Sequence, residues 1–297
     1  MTGAAKRTIK RLAARKRADS WQGWLDRLAA SSDRAQAYTP KGVRYRTVCL
    51  DGLPVEFFSP LMEESRGTVL FLHGGGYHTG VNDRYRRVAE QVAKLCQATV
   101  ALPDYALLPS VYPTALNEVK GLYLRLAQEG PVRLVGDSSG GHLSLQLAQT
   151  LAKEGHPIPH KLALVSPWTD LTASGESYYD NFYLDVVLGR HPLNGLDIPD
   201  AARATNVFAV AGEGDPSSGE ISPLWGDLSI LPPTYVSVAS HEILLSDSTR
   251  LAQKMEALHK DVTLVIGEGL FHDYPIYFDQ LPEAQTALED LCAWLFA

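Results

Sequence analysis

The sequence predicts an α/β fold, a mostly parallel, doubly wound sheet of about eight strands with a helical cap. From residue 68 onwards, short apolar runs alternate with segments of helical period. These runs are apolar throughout rather than at alternate positions, as expected of strands covered on both faces. The third observation is a glycine-rich turn, 136–141, that lies between one apolar run and a helical segment.

Two cap segments are predicted outside the sheet. In the first, 1–40, two Trp and two Leu residues at helical spacing predict a helix over 19–38 with one buried face. The basic stretch 1–18 lacks the apolar region of a signal peptide, and we interpret it as a solvated, partly frayed helix whose removal changes little. The second segment, 172–225, is too long for an unstructured loop, so we predict an insertion with short helices, for example at 201–208.

The remainder, 41–297, is predicted to carry the sheet. Asp51 and Gly52 separate the first two strands and predict a hairpin, whereas helices connect most of the others. The predicted strands are 43–50, 53–58, 68–73, 99–102, 132–135, 162–165, 235–239 and 262–266. The predicted helices are 84–95, 115–126, 142–148, 245–258 and 283–296.

Composition restricts the function. A chain of 297 residues, 45% hydrophobic and 21% charged, is typical of a globular protein with a large core. The net charge of −7 argues against nucleic acid as the main partner. No apolar stretch reaches the roughly 18 residues of a membrane span, so we expect no stable membrane anchor. Cys49, Cys96 and Cys292 form no C-x-x-C pair, which predicts reduced thiols in a cytoplasmic protein.

Ser138 lies in the centre of the turn Gly-Asp-Ser-Ser-Gly-Gly. Between a strand and a helix, a G-x-S-x-G match places the Ser hydroxyl at the apex of a sharp turn. A Cβ atom at Gly136 or Gly140 would clash there, and the N–H group of Ser139 is free to face a developing negative charge. The pattern predicts a nucleophilic Ser138, and a plain loop of Gly and Ser is the alternative.

A second glycine-rich loop, 73–77, follows the first long apolar strand with the sequence His-Gly-Gly-Gly-Tyr. Bare glycines let backbone N–H groups approach a substrate oxygen, and the pattern matches the HGGG oxyanion loop of lipases and esterases. A phosphate-binding turn is the alternative, but neither a following Gly-Lys-Ser/Thr nor a G-x-G-x-x-G spacing supports it.

One of the nine histidines has to act as the base for the serine. Six of them lie in the glycine loop, on the helix after the serine, or before the last two predicted strands, against the Ser–acid–His order of this architecture. His241, His259 and His272 remain. His259 ends a helix, where contact with the helix dipole explains it. His272 follows the last strand, at the same sheet edge as Ser138, and is the predicted base.

As a set, these motifs resemble the hormone-sensitive lipase-like esterase family of α/β-hydrolases. The segments that carry the resemblance, in the order of the family, are 73–77, 104–109, 136–141, 166–171, 222–228 and 271–272. The resemblance implies an α/β-hydrolase catalytic domain over 41–297, capped by 1–40 and by the insertion at 172–225. It also implies that Gly75, Gly76 and Ser139 provide the oxyanion N–H groups.

Two positions depart from the family. The Arg and Glu residues that commonly brace the oxyanion loop are absent after Tyr105, so other groups must brace it. Most relatives have Asp where Glu242 stands, which makes Asp247 a rival for the third triad position. We favour Glu242, because it lies three residues beyond the strand that ends at Ala239, whereas Asp247 lies eight beyond it and belongs to the following helix.

The sequence therefore predicts a serine carboxylic ester hydrolase for short acyl esters, with Ser138, His272 and Glu242 as its triad. Its expected partner is a small-molecule ester, with no metal or cofactor, and a homodimer is compatible with the sequence. His156 and His160 flank proline residues without a nearby Cys, which indicates a surface loop rather than a metal pair. Two alternatives stay open: a non-catalytic small-molecule binding protein on the same fold, and a deacetylase of a sugar or amide.

Overall fold

The computed structural model describes residues 1–15, 38–61, 64–189 and 210–297. The strands are β1 (Val43–Leu50), β2 (Leu53–Pro60), β3 (Thr68–Leu72), β4 (Thr99–Pro103), β5 (Val132–Asp137), β6 (Leu162–Val165), β7 (Thr234–Ala239) and β8 (Val262–Gly267). The α-helices in the described residues are α1 (Gly3–Arg15), α2 (Asp83–Cys96), α3 (Thr114–Ala127), α4 (Ser139–Lys153), α5 (Ser177–Asp180), α6 (Leu245–Ala257) and α7 (Pro282–Leu295). The predicted α/β fold class is confirmed.

The eight strands form one sheet in the order β1-β2-β4-β3-β5-β6-β7-β8. The predicted hairpin joins β1 and β2, β2 is also antiparallel to β4, and the remaining neighbours are parallel. After β3 the chain passes outward to β4 and then returns to place β5 on the other side of β3. This reversal leaves a crevice beyond the carboxyl ends of β3 and β5, where open α/β sheets bind ligands.

Both faces of the sheet are covered by apolar side chains. Leu70 and Leu134 contribute to a cluster with α3, α4 and α6, whereas their neighbours Val69 and Val135 point the other way, into a cluster with α2 and α7. Successive side chains of a strand face opposite sides of a sheet. Apolar residues at every position are therefore needed, which explains the continuous apolar runs of the sequence.

Helix α1 packs against the C-terminal part of the chain, so our interpretation of residues 1–18 as a solvated segment is wrong for this helix. Ala5 is fully buried beside Leu270, Phe271 and Ala284. The backbone N–H of Thr2 donates to a carboxylate oxygen of Glu283 at 2.6 Å. A narrow apolar face is sufficient here, because the small side chain of Ala5 allows the helix to approach closely.

The cap stays a prediction, since residues 19–37 of the helix expected over 19–38, and all of 201–208, lie outside the described residues. The described start of the insertion is attached to the loop after β7. Ser177 Oγ donates to the carbonyl oxygen of Ile243 at 2.6 Å, and Asn181 Nδ2 donates to that of Glu242 at 2.9 Å. Among the described helices, none combines the length and apolar character needed to cross a membrane.

Candidate active site

Ser138 occupies a sharp turn between β5 and α4. Its φ of 52° and ψ of −119° hold its side chain at the apex. A Cβ atom at Gly136 would lie 2.4 Å from the carbonyl oxygen of Gly140, and one at Gly140 would lie 2.0 Å from that of Leu72. Both distances are far below van der Waals contact. The expectation that these two glycines must be bare is therefore confirmed.

The hydroxyl of Ser138 is the first member of a buried chain of hydrogen bonds. Its Oγ lies 3.0 Å from Nε2 of His272, and Nδ1 of the same ring lies 2.6 Å from Oε2 of Glu242. The three side chains come from the loops after β5, β8 and β7 and are 8%, 2% and 0% exposed, so water does not compete for these bonds. The structure brings together the three residues that the sequence predicted.

Asp247 lies elsewhere and has a different set of partners. It is buried in the first turn of α6, and its Oδ2 accepts the backbone N–H groups of Thr169 and Asp170 at 2.6 and 2.9 Å. Burial raises the pKa of Asp247 to about 7. It fastens the loop after β6 to α6.

Ser166 is a member of the site that the sequence analysis did not assign. Its hydroxyl donates to Oε1 of Glu242 at 2.9 Å and accepts the backbone N–H of Asp273 at 3.1 Å. It stands directly after β6, so each of the neighbouring strands β5, β6, β7 and β8 is followed by a residue of this network. The sequence signal that could have identified Ser166 is its position directly after a predicted strand, at the start of the motif 166–171.

The glycine loop is braced by groups that replace the missing Arg and Glu. The hydroxyl of Tyr105 donates to the carbonyl oxygen of His73, and the two rings stack at 4.3 Å. The carboxylate of Asp137 accepts the N–H of Gly74 at 2.9 Å and the hydroxyl of Tyr85 at 3.0 Å. These contacts tie the loop after β3 to the turn that carries Ser138.

The three predicted oxyanion donors differ in their hydrogen bonding. The N–H of Gly76 donates to Oγ of Ser139 at 2.9 Å. The N–H groups of Gly75 and Ser139 donate to no acceptor within the described part of the chain. In the described residues, the N–H groups of Gly75 and Ser139 are therefore not used by another acceptor, whereas the N–H group of Gly76 is bonded to the hydroxyl of Ser139.

Carboxylates dominate the electrostatics of the site. Burial lowers the pKa of His272, but the charges of Asp273 and Glu242 outweigh it and hold that pKa well above its usual value. Burial raises the pKa of Glu242, although the bond to His272 opposes the shift. Burial and the charge of Asp273 raise the pKa of Asp137 well above its usual value. Asp273 was not assigned from the sequence, and its position next to His272 was the only signal.

None of the other histidines within the described residues joins this network. His142 is buried between the hydroxyl of Tyr77 and the carbonyl oxygen of Ile221, at 2.6 Å from each, and burial lowers its pKa to about 4. His241 is half-buried and His259 is exposed. In the described ranges, no group of three or more His, Cys, Asp or Glu side chains is arranged to hold a metal ion.

The chain is similar in sequence and fold to known hydrolases. A family model described as alpha/beta hydrolase fold matches residues 69–276. The chain is 33% identical to LipR of Mycobacterium tuberculosis, over 88% of this chain and 83% of LipR. It is 32% identical to an acetyl-hydrolase of Streptomyces hygroscopicus, over 89% of this chain and 87% of that protein.

Among solved structures, the fold matches that of a hormone-sensitive lipase from a metagenome library. The TM-score is 0.81 at 27% identity, and the match covers 97% of this chain and 96% of the other. The family model, the relatives in sequence and this structural match agree on one assignment. The chain belongs to the α/β-hydrolase fold family and, within it, to the hormone-sensitive lipase-like esterases.

Proposed function

We propose that this esterase hydrolyses short acyl esters, acetyl to about hexanoyl, through an acyl-enzyme formed on Ser138. The observation that carries the proposal is the continuous hydrogen-bonded chain from Ser138 through His272 to Glu242, with contacts of 3.0 and 2.6 Å. A serine hydroxyl is a weak nucleophile until a base removes its proton. In this series of hydrogen bonds, His272 is the base, and Glu242 is the carboxylate that holds His272 in the required tautomer.

In the proposed acylation step, Nε2 of His272 takes the hydroxyl proton of Ser138 as Oγ attacks the ester carbonyl carbon. Glu242 accepts the Nδ1–H bond, so it orients the ring and stabilises the imidazolium that forms. The imidazolium then gives its proton to the alkoxide leaving group, and the C–O bond of the ester breaks. In the second half of the proposed reaction, His272 takes a proton from a water molecule as the water attacks the acyl carbon. The bond from the acyl carbon to Oγ of Ser138 then breaks, His272 returns the proton to Oγ, and the acid is released.

The tetrahedral intermediate carries a negative oxygen that needs hydrogen-bond donors. The N–H groups of Gly75 and Ser139 have no other acceptor in the described residues, which supports their proposed role. The N–H of Gly76 would add a third bond, but only by sharing its proton with or leaving Ser139 Oγ. The braces from Tyr105 and Asp137 support this proposal, because preorganised donors need no rearrangement during the reaction.

The preference for short acyl groups rests on the family. The Streptomyces relative is named an acetyl-hydrolase, which favours the acetyl end of the series. The non-catalytic binding alternative is opposed by the buried base, since a site that only binds a ligand has no need of a histidine within hydrogen-bond reach of a serine.

A p-nitrophenyl ester series from acetyl to decanoyl tests the proposal, run with EDTA present and with p-nitroacetanilide as an amide comparison. We expect turnover of the short esters, unaffected by EDTA and abolished by S138A. S144A is the matched control, because Ser144 is buried in the helix that follows Ser138 and, within the described residues, its hydroxyl donates to the carbonyl oxygen of Gly140 and not to a residue of the triad. Turnover that survives in S138A would refute the assignment, and turnover of the anilide alone would move the substrate class to amides.

A further inference from the structure

A second carboxylate lies on the side of His272 that faces Ser138. Oδ2 of Asp273 is 3.0 Å from Nε2, the same distance at which that nitrogen meets Ser138 Oγ. Asp273 follows His272 directly and has a φ of 56°, in the left-handed region. Its backbone N–H is fixed by Ser166, so the side chain is held beside the ring.

This carboxylate is buried and incompletely paired. The residue is 7% exposed, and its Oδ1 atom has no hydrogen-bond partner within the described residues. The neighbouring groups whose charges interact with the Asp273 carboxylate include two further acids, Asp137 at the end of β5 and Asp185 in the insertion. Tyr85 approaches from α2 and donates its proton to Asp137. His272 is the basic group in direct contact with it.

The contact between Oδ2 and Nε2 favours the charged form of His272. An ionised carboxylate 3.0 Å from a ring nitrogen stabilises the imidazolium relative to the neutral ring. A neutral His272 that donates from Nδ1 to Glu242 presents a lone pair at Nε2. The imidazolium carries a proton at Nε2 instead, so in that form Nε2 cannot accept the proton of Ser138.

We propose that Asp273 stabilises the protonated form of His272 in the resting enzyme, and that the loss of this proton to solvent sets the lowest pH at which His272 acts as a base. The proposal rests on the proposed function of Ser138 and His272. When the proton leaves, Nε2 regains its lone pair and accepts the hydroxyl proton of Ser138, with no other bond made or broken. Burial of both partners strengthens the contact, because their charges are poorly screened.

The consequence is an esterase whose activity begins at a higher pH than the imidazole alone would give. On the acid side, kcat/KM reports the ionisation of the free enzyme. A neighbouring carboxylate at hydrogen-bond distance raises the pKa of an imidazole by about 1 to 3 units. Glu242 also raises the pKa of His272, from the side of Nδ1, but replacing Glu242 would remove the carboxylate that orients the ring. The effect of Asp273 on the pKa of His272 can be removed separately.

The test is the pH dependence of kcat/KM for p-nitrophenyl butyrate in wild type, D273N and D273G. Asn and Gly both tolerate the left-handed backbone, so the loop geometry is retained. D279N is the matched control, because it removes the same charge from a surface carboxylate that pairs with Arg84 and Arg87. We expect the acid midpoint to fall by about one unit or more in both Asp273 variants and to stay in place in D279N.

A second readout does not depend on turnover. NMR titration of the His272 side chain in S138A and in S138A/D273G should show a pKa that is lower in the double variant by about one unit or more. An unchanged or higher pKa, or an unchanged or higher acid midpoint, would overturn the proposal. If D273G does not fold, D273N provides the same comparison. Absence of ester turnover in the wild type would refute the proposed function, whereas the NMR comparison would still decide the role of Asp273.

Discussion

The backbone N–H of Gly76 donates to Oγ of Ser139 at 2.9 Å, so one predicted oxyanion donor already has an acceptor before a substrate arrives. The substitution S139A removes that acceptor. We expect kcat to rise about two- to tenfold, the equivalent of one neutral hydrogen bond of about 0.5–1.5 kcal/mol. Steady-state kinetics with p-nitrophenyl acetate measure the change.

The control for this prediction is S144A, in the same helix but away from the glycine loop. It should leave kcat unchanged. A fall in kcat in S139A alone would mean that the hydroxyl is needed to position the loop more than its bond competes with the oxyanion.

Tyr105 should contribute to the rate although it does not contact Ser138. Y105F removes the hydroxyl that donates to the carbonyl oxygen of His73 and leaves the stacked ring in place. We expect kcat to fall about two- to tenfold with little change in KM, because one neutral hydrogen bond no longer holds the loop. Y123F, at another buried tyrosine, is the comparison, and an equal fall there would indicate a general packing effect.

The choice between the two carboxylates after β7 is tested by their amides. E242Q keeps the shape of the site but favours the wrong tautomer of His272, so kcat should fall on the order of 10³–10⁴-fold. D247N should change kcat less than about tenfold, since Asp247 holds the loop after β6. The opposite pattern of losses would transfer the triad position to Asp247.

Asp247 should also make the stability depend on pH. Its pKa is about 7 in the folded protein, whereas an unfolded chain has about 3.9. The folded state binds the proton more tightly, so the contribution of Asp247 to the free energy of unfolding is present below about pH 4 and is lost as the pH rises to about 7. Urea denaturation at pH 5 and pH 8 should therefore show a smaller difference between wild type and D247N at pH 8. An equal or larger difference at pH 8 would contradict the raised pKa.

The docking of α1 is tested by a charge at its buried face. A5E places a carboxylate against Leu270 and Phe271, next to the loop of His272. We expect the free energy of unfolding to fall by about 1–3 kcal/mol, and amide exchange over 268–281 to become faster. A14E introduces the same charge at an exposed position of the same helix and should have neither effect. Equal results for the two variants would indicate that α1 is not docked in solution.

The sheet and the triad geometry could be predicted from the sequence because each depends on a local signal. Continuous apolar runs mark the strands, and a strand followed by Gly136, Ser138 and Gly140 determines where the nucleophile stands. The order of the strands then puts the loops of Glu242 and His272 at the same edge. These are properties of short segments and of chain order, which a sequence displays.

Contacts between distant side chains could not be predicted in the same way. The bond from Ser166 to Glu242, the pairing of Gly76 with Ser139 and the position of Asp273 beside Nε2 all depend on how loops pack in three dimensions. The docking of α1 is of the same kind. Its apolar face is too thin to distinguish from that of a solvated helix until the complementary surface is known.

The contact between α1 and α7 joins segments that are synthesised far apart in time. Thr2 bonds to Glu283 across 281 positions, and α1 covers the loop of His272. A ribosome delivers Ser138 long before the segment that contains His272, so the nascent chain holds the nucleophile without its base. Hydrolytic activity should therefore begin only after the segment that contains His272 has left the exit tunnel and folded onto the sheet.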